Sequence, residues 1–541
     1  MQVIIPSAKI VSEDLQNLGR LPAIVYPVNQ RPVFNYLYKE YVDSNFRVVI
    51  FENARTVEQR LSEYKNVDIL KLDKLGDLGD SVYAGIKNQS GEGIINFADT
   101  IVEDNINNID GDAIFYSEDI PSETWTFFEE KDGRIIRVVD KKRKSTVNDN
   151  LEKLFVGVFK LSHLEYLQHC LYEALQEENS EISSFYRAIM KYSEKYPFKV
   201  VKTDKWFDIG HADKYFSSQL EVKAREFNHI KIDKDRGILT KTSDNVDKFI
   251  GEIKWYLKLP TDLEYVRPRI FSYSTSYNSP YVSMEYYAYH TIHELFLYGD
   301  LTKNQWTDIF RKIKFIYSDF QRYTVKDGSK IKAALKDMYL TKTINRFEKL
   351  KQNVQFSKFF TDPISVNGKK YKSLNEVTNI LKQVIPDKLY DIDQFNIIHG
   401  DLCFTNIMID NNYNFVKVID PRGKFGDFDI YGDSRYELAK LFHSLDGKYD
   451  FIIKDLFNIN YDLENAKIDY KINDRVRDVD LYKLFVDVFE DEVKGNLQKI
   501  ELIEALLFLS MIPLHGESIK QQLAMLGTGL DILNRVVDIT I

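Results

Sequence analysis

Cysteine is almost missing from this chain of 541 residues. The two present, Cys170 and Cys403, are far apart and suggest neither a disulfide framework nor a thiolate metal site. So low a count fits a reducing compartment, and a cytoplasmic location is expected. Long apolar runs are missing as well. None approaches the roughly 20 residues that cross a bilayer, so no membrane span is expected. The opening Met1-Gln2-Val3-Ile4-Ile5-Pro6 has no basic segment followed by an apolar one and does not read as a signal peptide. Basic runs are short. The densest, Lys141-Lys142-Arg143-Lys144, sits in a chain of net charge −9, which argues against nucleic acid as a partner. Nothing marks an internal repeat, a low-complexity linker or an oligomeric state. Glycine-rich phosphate loops of the Gly-x-Gly-x-x-Gly type are absent too.

What is present is globular. Hydrophobic residues at 44% and charged residues at 29% are ordinary for a folded soluble chain, and the length calls for two or three domains. Over the first ~220 residues, short apolar runs alternate with helical patterns, which predicts a mostly parallel α/β sheet. The expected strands are Val3–Ile5, Phe46–Phe51, Gly93–Phe97, Ala113–Tyr116 and Phe155–Phe159, with a helix between Val33 and Asp43. Near Glu221–Asn228 the pattern changes. Phe227–Ile232 and Gly237–Thr242 read as a hairpin around Asp233-Lys234-Asp235-Arg236. A helix follows with Phe249, Ile253, Tyr256 and Leu257 on one face, ended by Pro260. Tyr281–Tyr287 reads as a strand, and helical periods dominate afterwards, including Trp306–Tyr323 and Leu502–Met511. Two domains are expected, residues 1–222 and 223–541.

The densest chemical signal is His399-Gly400-Asp401-Leu402-Cys403-Phe404-Thr405-Asn406. A His-x-Asp-x-x-x-x-Asn loop serves phosphoryl transfer: the Asp orients the acceptor hydroxyl and takes its proton, and the Asn reaches back to a magnesium on the phosphates. Ile407–Ile409 and Phe415–Ile419 then form an expected hairpin ending at Asp420-Pro421-Arg422-Gly423. A second carboxylate, Asp420, thus arrives at a strand end. This stretch resembles the aminoglycoside phosphotransferase and choline kinase superfamily. The resemblance implies an α+β protein-kinase-like fold, Asp401 as catalytic base, Asn406 and Asp420 as Mg2+ ligands, and ATP as phosphoryl donor. Lys241 is the candidate for holding the α- and β-phosphates, with Glu252 as its partner and Lys248 as a rival lysine. Glu285 and Tyr286, in Met284-Glu285-Tyr286-Tyr287, lie where a hinge meets adenine through its backbone; a core strand end is the other reading. Asp433 reads as a helix cap rather than a chemical group. Arg422 is a candidate contact to substrate or phosphate.

In the first 220 residues, Gly19 to Val33, with Pro22-Ala23 and Pro27-Val28-Asn29-Gln30-Arg31-Pro32, resembles the opening of the sugar-phosphate nucleotidyltransferase family. The departures are a glycine-free loop at Pro6–Leu18, Ala23 in the usual lysine's place and Gln30-Arg31 in place of Gly-Lys. Lys9 or Arg20 are possible sources of the lost charge. Later pieces follow the family's order: Gly76–Ser81 where the base is read, Asp99 and Asp208 as metal ligands, Val138-Val139-Asp140-Lys141 with Lys141 at the phosphate of the second substrate, and the glycine-bearing strand Leu154–Phe159. The resemblance implies a Rossmann-like α/β fold and a Mg2+ held across the α-phosphate of an NTP.

Together these readings lead to the expectation of a bifunctional enzyme. It phosphorylates a small hydroxyl-bearing metabolite with ATP and then activates that phosphate with a second NTP, as in bacterial routes to capsule or lipopolysaccharide precursors. The alternative is a small-molecule kinase whose N-terminal domain only binds nucleotide or sugar. The acceptor is left open between an amine such as choline, a sugar and a polyol.

Overall fold

A computed structural model describes residues 1–28, 31–62, 64–118, 125–140, 153–177, 180–210, 228–233, 235–474 and 479–541. The chain divides into two compact units, Met1–Val222 with Tyr298–Asp300, and Lys223–Leu297 with Leu301–Ile541. The boundary expected at residue 222 lies within 211–227, outside the described residues.

In the first unit, β1 (Gln2–Ser7) lies centrally, and its Val3-Ile4-Ile5 run is fully buried, as suits a strand covered on both faces. It pairs in parallel with β2 (Asn45–Ile50) and with β4 (Gly93–Asn96), so Val3 lies between Phe46 and Ile94; β3 (Val67–Lys71) extends the parallel set beyond β2. Helices α1 (Val33–Glu40), α2 (Ala54–Leu61) and α3 (Leu78–Ile86) belong to this half. Beyond β4 the sheet changes sense. The short strand β5 (Thr100–Val102) stands apart from it, and β6 (Ala113–Ser117) and the hairpin β7 (Thr126–Lys131) and β8 (Arg134–Asp140) all meet β9 (Lys153–Leu161) or one another antiparallel. β9 also runs antiparallel to β4. The order is β8-β7-β9-β4-β1-β2-β3, with β6 beside β9 and β10 (Lys199–Lys202) beside β6.

The sheet is therefore mixed rather than mostly parallel. A continuous apolar run such as Phe155–Phe159 signals burial but carries no direction. The core joins Ile4, Ile95, Ile114 and Phe159 of the sheet to Val82 and Ile86 of α3, Leu167 and Leu171 of α4 (Leu164–Gln176), and Phe185 and Ile189 of α5 (Ser184–Lys195). A two-stranded pair of β11 (Trp206–Asp208) with β5 completes this unit.

The second unit begins with an antiparallel sheet of order β12-β13-β15-β14: β12 (Asn228–Asp233), β13 (Ile238–Ser243), β14 (Ile270–Ser274) and β15 (Tyr281–Glu285). Arg236 N–H donates to Asp233 Oδ1 across the β12–β13 turn at 3.1 Å. Helix α6 (Val246–Lys258) buries Phe249, Ile253 and Tyr256 and stops before Pro260. The remainder is largely helical: α7 (Lys303–Gln321), α8 (Lys342–Lys351), α9 (Leu374–Leu389), α10 (Ser434–Leu445), α11 (Leu497–Met511) and α12 (Ile519–Val536). α11 is buried nearly all round because α8, α10 and α12 pack on it. Between α9 and α10 come β16 (Gln394–Ile397) and the hairpin of β17 (Ile407–Ile409) and β18 (Val416–Val418). This is an α+β arrangement, whereas the first unit is α/β. Among the described residues, no helix is long and apolar enough to cross a membrane.

Candidate active sites

The loop after β16 carries the His-Gly-Asp run. Glu437 of α10 accepts hydrogen bonds from the His399 and Gly400 amides, both at 2.8 Å. Asn406 Nδ2 donates to the Asp401 carbonyl at 2.9 Å, and Ile419 N–H donates to the Asn406 carbonyl at 3.0 Å. Four residues separate Asp401 from Asn406 so that this internal bond can close the loop. The Asp401 carboxylate meets Lys440 Nζ at 2.7 Å and leaves 37% of its side chain exposed, enough for an acceptor to reach it. Burial favours its neutral form, but the Lys440 ammonium, with Arg422 behind it, holds it well below the usual carboxylate range. Burial drives Glu437 the other way, up to about 7, against the two amides that favour its anion. His399 is wholly buried, and burial lowers it to about 4, so it stays neutral beneath the loop.

Lys241 on β13 and Glu252 on α6 form an ion pair at 2.8 Å, and Lys241 also meets Asp420 Oδ1 at 2.7 Å. Lys241 is almost completely buried. Burial opposes its charge, but Asp420 and Glu252 together hold it above its ordinary value. The rival Lys248 is exposed. α6 is fastened to the segment from Ile398 to Gly423 at further points. Trp255 Nε1 donates to the Ile398 carbonyl at 2.7 Å, and the Tyr256 hydroxyl accepts from Asp420 N–H at 3.1 Å. Gly423, at φ +71°, comes so close to α6 that a Cβ there would lie 2.0 Å from the Gly251 carbonyl oxygen. Of the hinge candidates, the Glu285 amide donates to the Arg269 carbonyl and the Tyr286 amide to the Gly237 carbonyl. Both amides are therefore spent inside the sheet. The Glu285 carboxylate accepts from the Tyr287 hydroxyl at 2.6 Å. Asp433 caps α10, accepting from Arg435 N–H at 2.9 Å.

Glu437 and Lys440 lie in a segment, Gly432–Lys440, that the sequence places under the site through its resemblance without assigning either a role there. Their signal was present: three residues apart on one helix, they share the face that meets the loop. Lys342, described below, had no such signal.

In the first unit, Asp208 ends β11 opposite Thr100 of β5, and Ile209 N–H donates to the Asp99 carbonyl at 2.9 Å. The two carboxylates converge. A Cβ built on Gly210 would lie 2.9 Å from Asp99 Oδ2 and 3.1 Å from Asp208 Oδ1. Gly157 of β9, at φ +97°, allows this approach, because a side chain there would run into Phe97 and Thr100 beside Asp99. Asp77, expected among the base-reading residues, instead caps α3 and accepts from Ser184 N–H and Oγ–H at 2.9 and 2.7 Å. Lys141 lies outside the described residues.

Among the described residues, no three His, Cys, Asp or Glu side chains surround one point as a metal cage would. Magnesium needs no such cage. It binds through one or two hard oxygen ligands and completes its shell with water and substrate phosphates. The Asp99–Asp208 pair suits that chemistry, as does Asp420, whose side chain is half exposed and which follows Ile419, bonded to the Asn406 carbonyl.

No protein-family model matches the chain, and no curated protein matches it. Similar solved structures fall into two sets. Over the N-terminal two fifths, one is a nucleoside-diphosphate-sugar pyrophosphorylase from Vibrio cholerae RC9, 13% identical, covering 40% of this chain and 100% of that one at TM-score 0.33. Another is the inositol-1-phosphate CTP transferase from T. maritima, 17% identical, covering 41% and 98% at TM-score 0.31. The second set includes a thermostable mutant of aminoglycoside phosphotransferase APH(4)-Ia in its apo form, 12% identical, covering 59% and 94% at TM-score 0.38.

Proposed function

We propose that the chain is a cytoplasmic bifunctional transferase. The second unit phosphorylates a small hydroxyl-bearing metabolite with ATP, and the first couples the resulting phosphate to the nucleotidyl group of a second NTP and releases pyrophosphate. The product would serve as an activated precursor for capsule or lipopolysaccharide. The observation that carries the reading is the convergence of Lys241, Glu252 and Asp420 from three separate elements, with Asp401 and Asn406 closed into the adjoining loop.

In the kinase step the acceptor oxygen forms a bond to the γ-phosphorus. The bond from that phosphorus to the β-bridging oxygen breaks, ADP leaves with the electron pair, and the acceptor proton passes to an Asp401 carboxylate oxygen. Asp401 is held ionised, so its task is to orient the hydroxyl and take the proton late, as fits a loose phosphoryl transition state. Lys440 fixes the rotamer of that carboxylate. Lys241, kept in place by Glu252, would bind the α- and β-phosphates. Asn406 and Asp420 would hold Mg2+, which neutralises charge on the β- and γ-phosphates when bound. Asp99 and Asp208 would hold a metal for the NTP of the first unit, with Lys141 directed to the second substrate's phosphate.

The glycine-free loop at Pro6–Leu18, Ala23 and the structural use of Asp77 favour a second reading, in which the first unit binds a nucleotide or sugar without catalysis. Pyrophosphate release distinguishes the two. Each NTP is paired with sugar and polyol phosphates, and wild type is compared with Asp99→Asn and Asp208→Asn. Release that both variants abolish, with ADP formation retained, is the expected outcome; no release from any pair would leave the kinase alone.

A further inference from the structure

The surroundings of Asp401 are strongly cationic. Lys342 and Arg346 stand one turn apart on α8, Arg422 follows Asp420, and Lys440 lies on α10. Two of these, Arg422 and Lys342, meet around the buried phenol of Tyr436. Arg422 Nη1 donates to its hydroxyl at 2.8 Å, and the Arg422 guanidinium and the Lys342 ammonium lie 5.8 and 6.0 Å from its ring centre. The same Arg422 rests against the loop, its Cβ 2.9 Å from where a Gly400 side chain would begin.

Among the described residues, Lys440 alone of the four makes an ion pair, and its partner is Asp401. Among the described residues, neither Lys342, Arg346 nor Arg422 has an acidic partner within ion-pair distance. The other buried cations of this unit are matched: Lys241 with Glu252 and Asp420, Arg435 with Asp433 and Asp391. Arg422 shares Asp401 with Lys440 at longer range, so both cations lean on one carboxylate, and partly buried positive charges short of counter-charge are costly to maintain. The crowding shifts the protonation equilibria of the cluster. Burial, followed by Arg422, Lys440 and Arg346, lowers the Lys342 ammonium to about 8, with Tyr436 opposing. Against burial, the cations bring the Tyr436 phenol down to about 8.

We propose that the acceptor of the kinase reaction is an anion. Its carboxylate or phosphate ester is held by Lys342 and Arg422, and a hydroxyl elsewhere on the same molecule is presented to Asp401. This rests on the kinase reading above and narrows it, since the cationic cluster disfavours an amine such as choline.

The test uses the full-length chain with Mg·ATP and follows ADP formation with acceptors matched in size. Glycerate and glycerol 3-phosphate are set against glycerol and choline, and glucuronate and glucose 6-phosphate against glucose and glucosamine. An anionic acceptor is expected to exceed its neutral counterpart in kcat/KM by about tenfold or more, the worth of one charged hydrogen bond. Whether the carboxylates or the phosphate esters lead identifies the group. With that acceptor, Lys342→Met raises its KM about tenfold or more and leaves the KM for ATP within about twofold; Lys342→Arg restores part of the loss. Arg422→Gln moves KM the same way and guards against a fold defect specific to α8. A neutral or cationic acceptor that outperforms its anionic partner overturns the proposal. So does a rise confined to the KM for ATP, which would assign the cluster to the nucleotide. No ADP with any class of acceptor would count against the kinase reading, and this inference would fall with it.

Discussion

Glu437 holds the two amides that precede Asp401, and its pH response follows from its burial. Its folded value, about 7, lies above the ordinary 4.5. The folded state therefore binds this proton more tightly than the unfolded state does. The group's contribution to stability grows as pH falls from about 7 towards 4.5 and is constant outside that window. Activity runs in the opposite direction. Below about 7 the carboxylate loses its charge and one of its two strong acceptor oxygens, the loop beneath Asp401 loosens, and kcat falls. In Glu437→Gln, which can accept only one amide, the acid limb near this pH should disappear and the folded state should lose ~1–3 kcal/mol. A pH–rate profile and a denaturant titration of both proteins check this; an unchanged acid limb in the variant assigns it to another group. At this scale the sequence was legible where chemistry is local. Asp401 and Asn406 are five residues apart and declare each other. Lys342 reaches the site from a helix tens of residues away, and no spacing rule connects it to Asp401.

The helix α6 joins the small sheet to the catalytic segment through Glu252, Trp255, Tyr256 and the close approach of Gly423. Adding a methyl group in Gly423→Ala forces either the strained φ of +71° to change or α6 to withdraw. Withdrawal pulls Glu252 from Lys241. The expected effect is a rise of about tenfold in the KM for ATP, equivalent to ~1.4 kcal/mol at the low end of overpacking costs, with a lowered melting temperature. A KM for ATP that stays at the wild-type value would separate α6 from nucleotide binding. Elements themselves were readable from period and punctuation. The amphipathic spacing of Phe249, Ile253 and Tyr256 with Pro260 beyond gave α6, and the Asp233–Gly237 turn gave the β12–β13 hairpin. Strand direction was not readable. β9 is as apolar as a parallel core strand, and its antiparallel pairing depends on partners that its own residues do not name.

For the molecule as a whole, one unit carries a carboxylate couple at Asp99 and Asp208 and the other the charged cluster around Asp401. On the proposed function, joining successive steps on one chain would keep the intermediate at a raised effective concentration. The first unit's identity was legible only as an ordered series of weak pieces, because a carboxylate at a strand end is ordinary until the fold brings a second beside it, as at Gly210. The second unit rests on one loop that was legible at once. The most direct measurement is therefore ADP formation by the purified full-length chain with Mg·ATP and the acceptor panel, wild type against Asp401→Asn. The expected result is acceptor-dependent ADP and a phosphorylated product by mass spectrometry, with kcat lower in the variant by about 10²–10⁴-fold at an unchanged melting temperature. Equal acceptor-dependent turnover in the two proteins, or none in wild type, would contradict Asp401 as the base of a kinase.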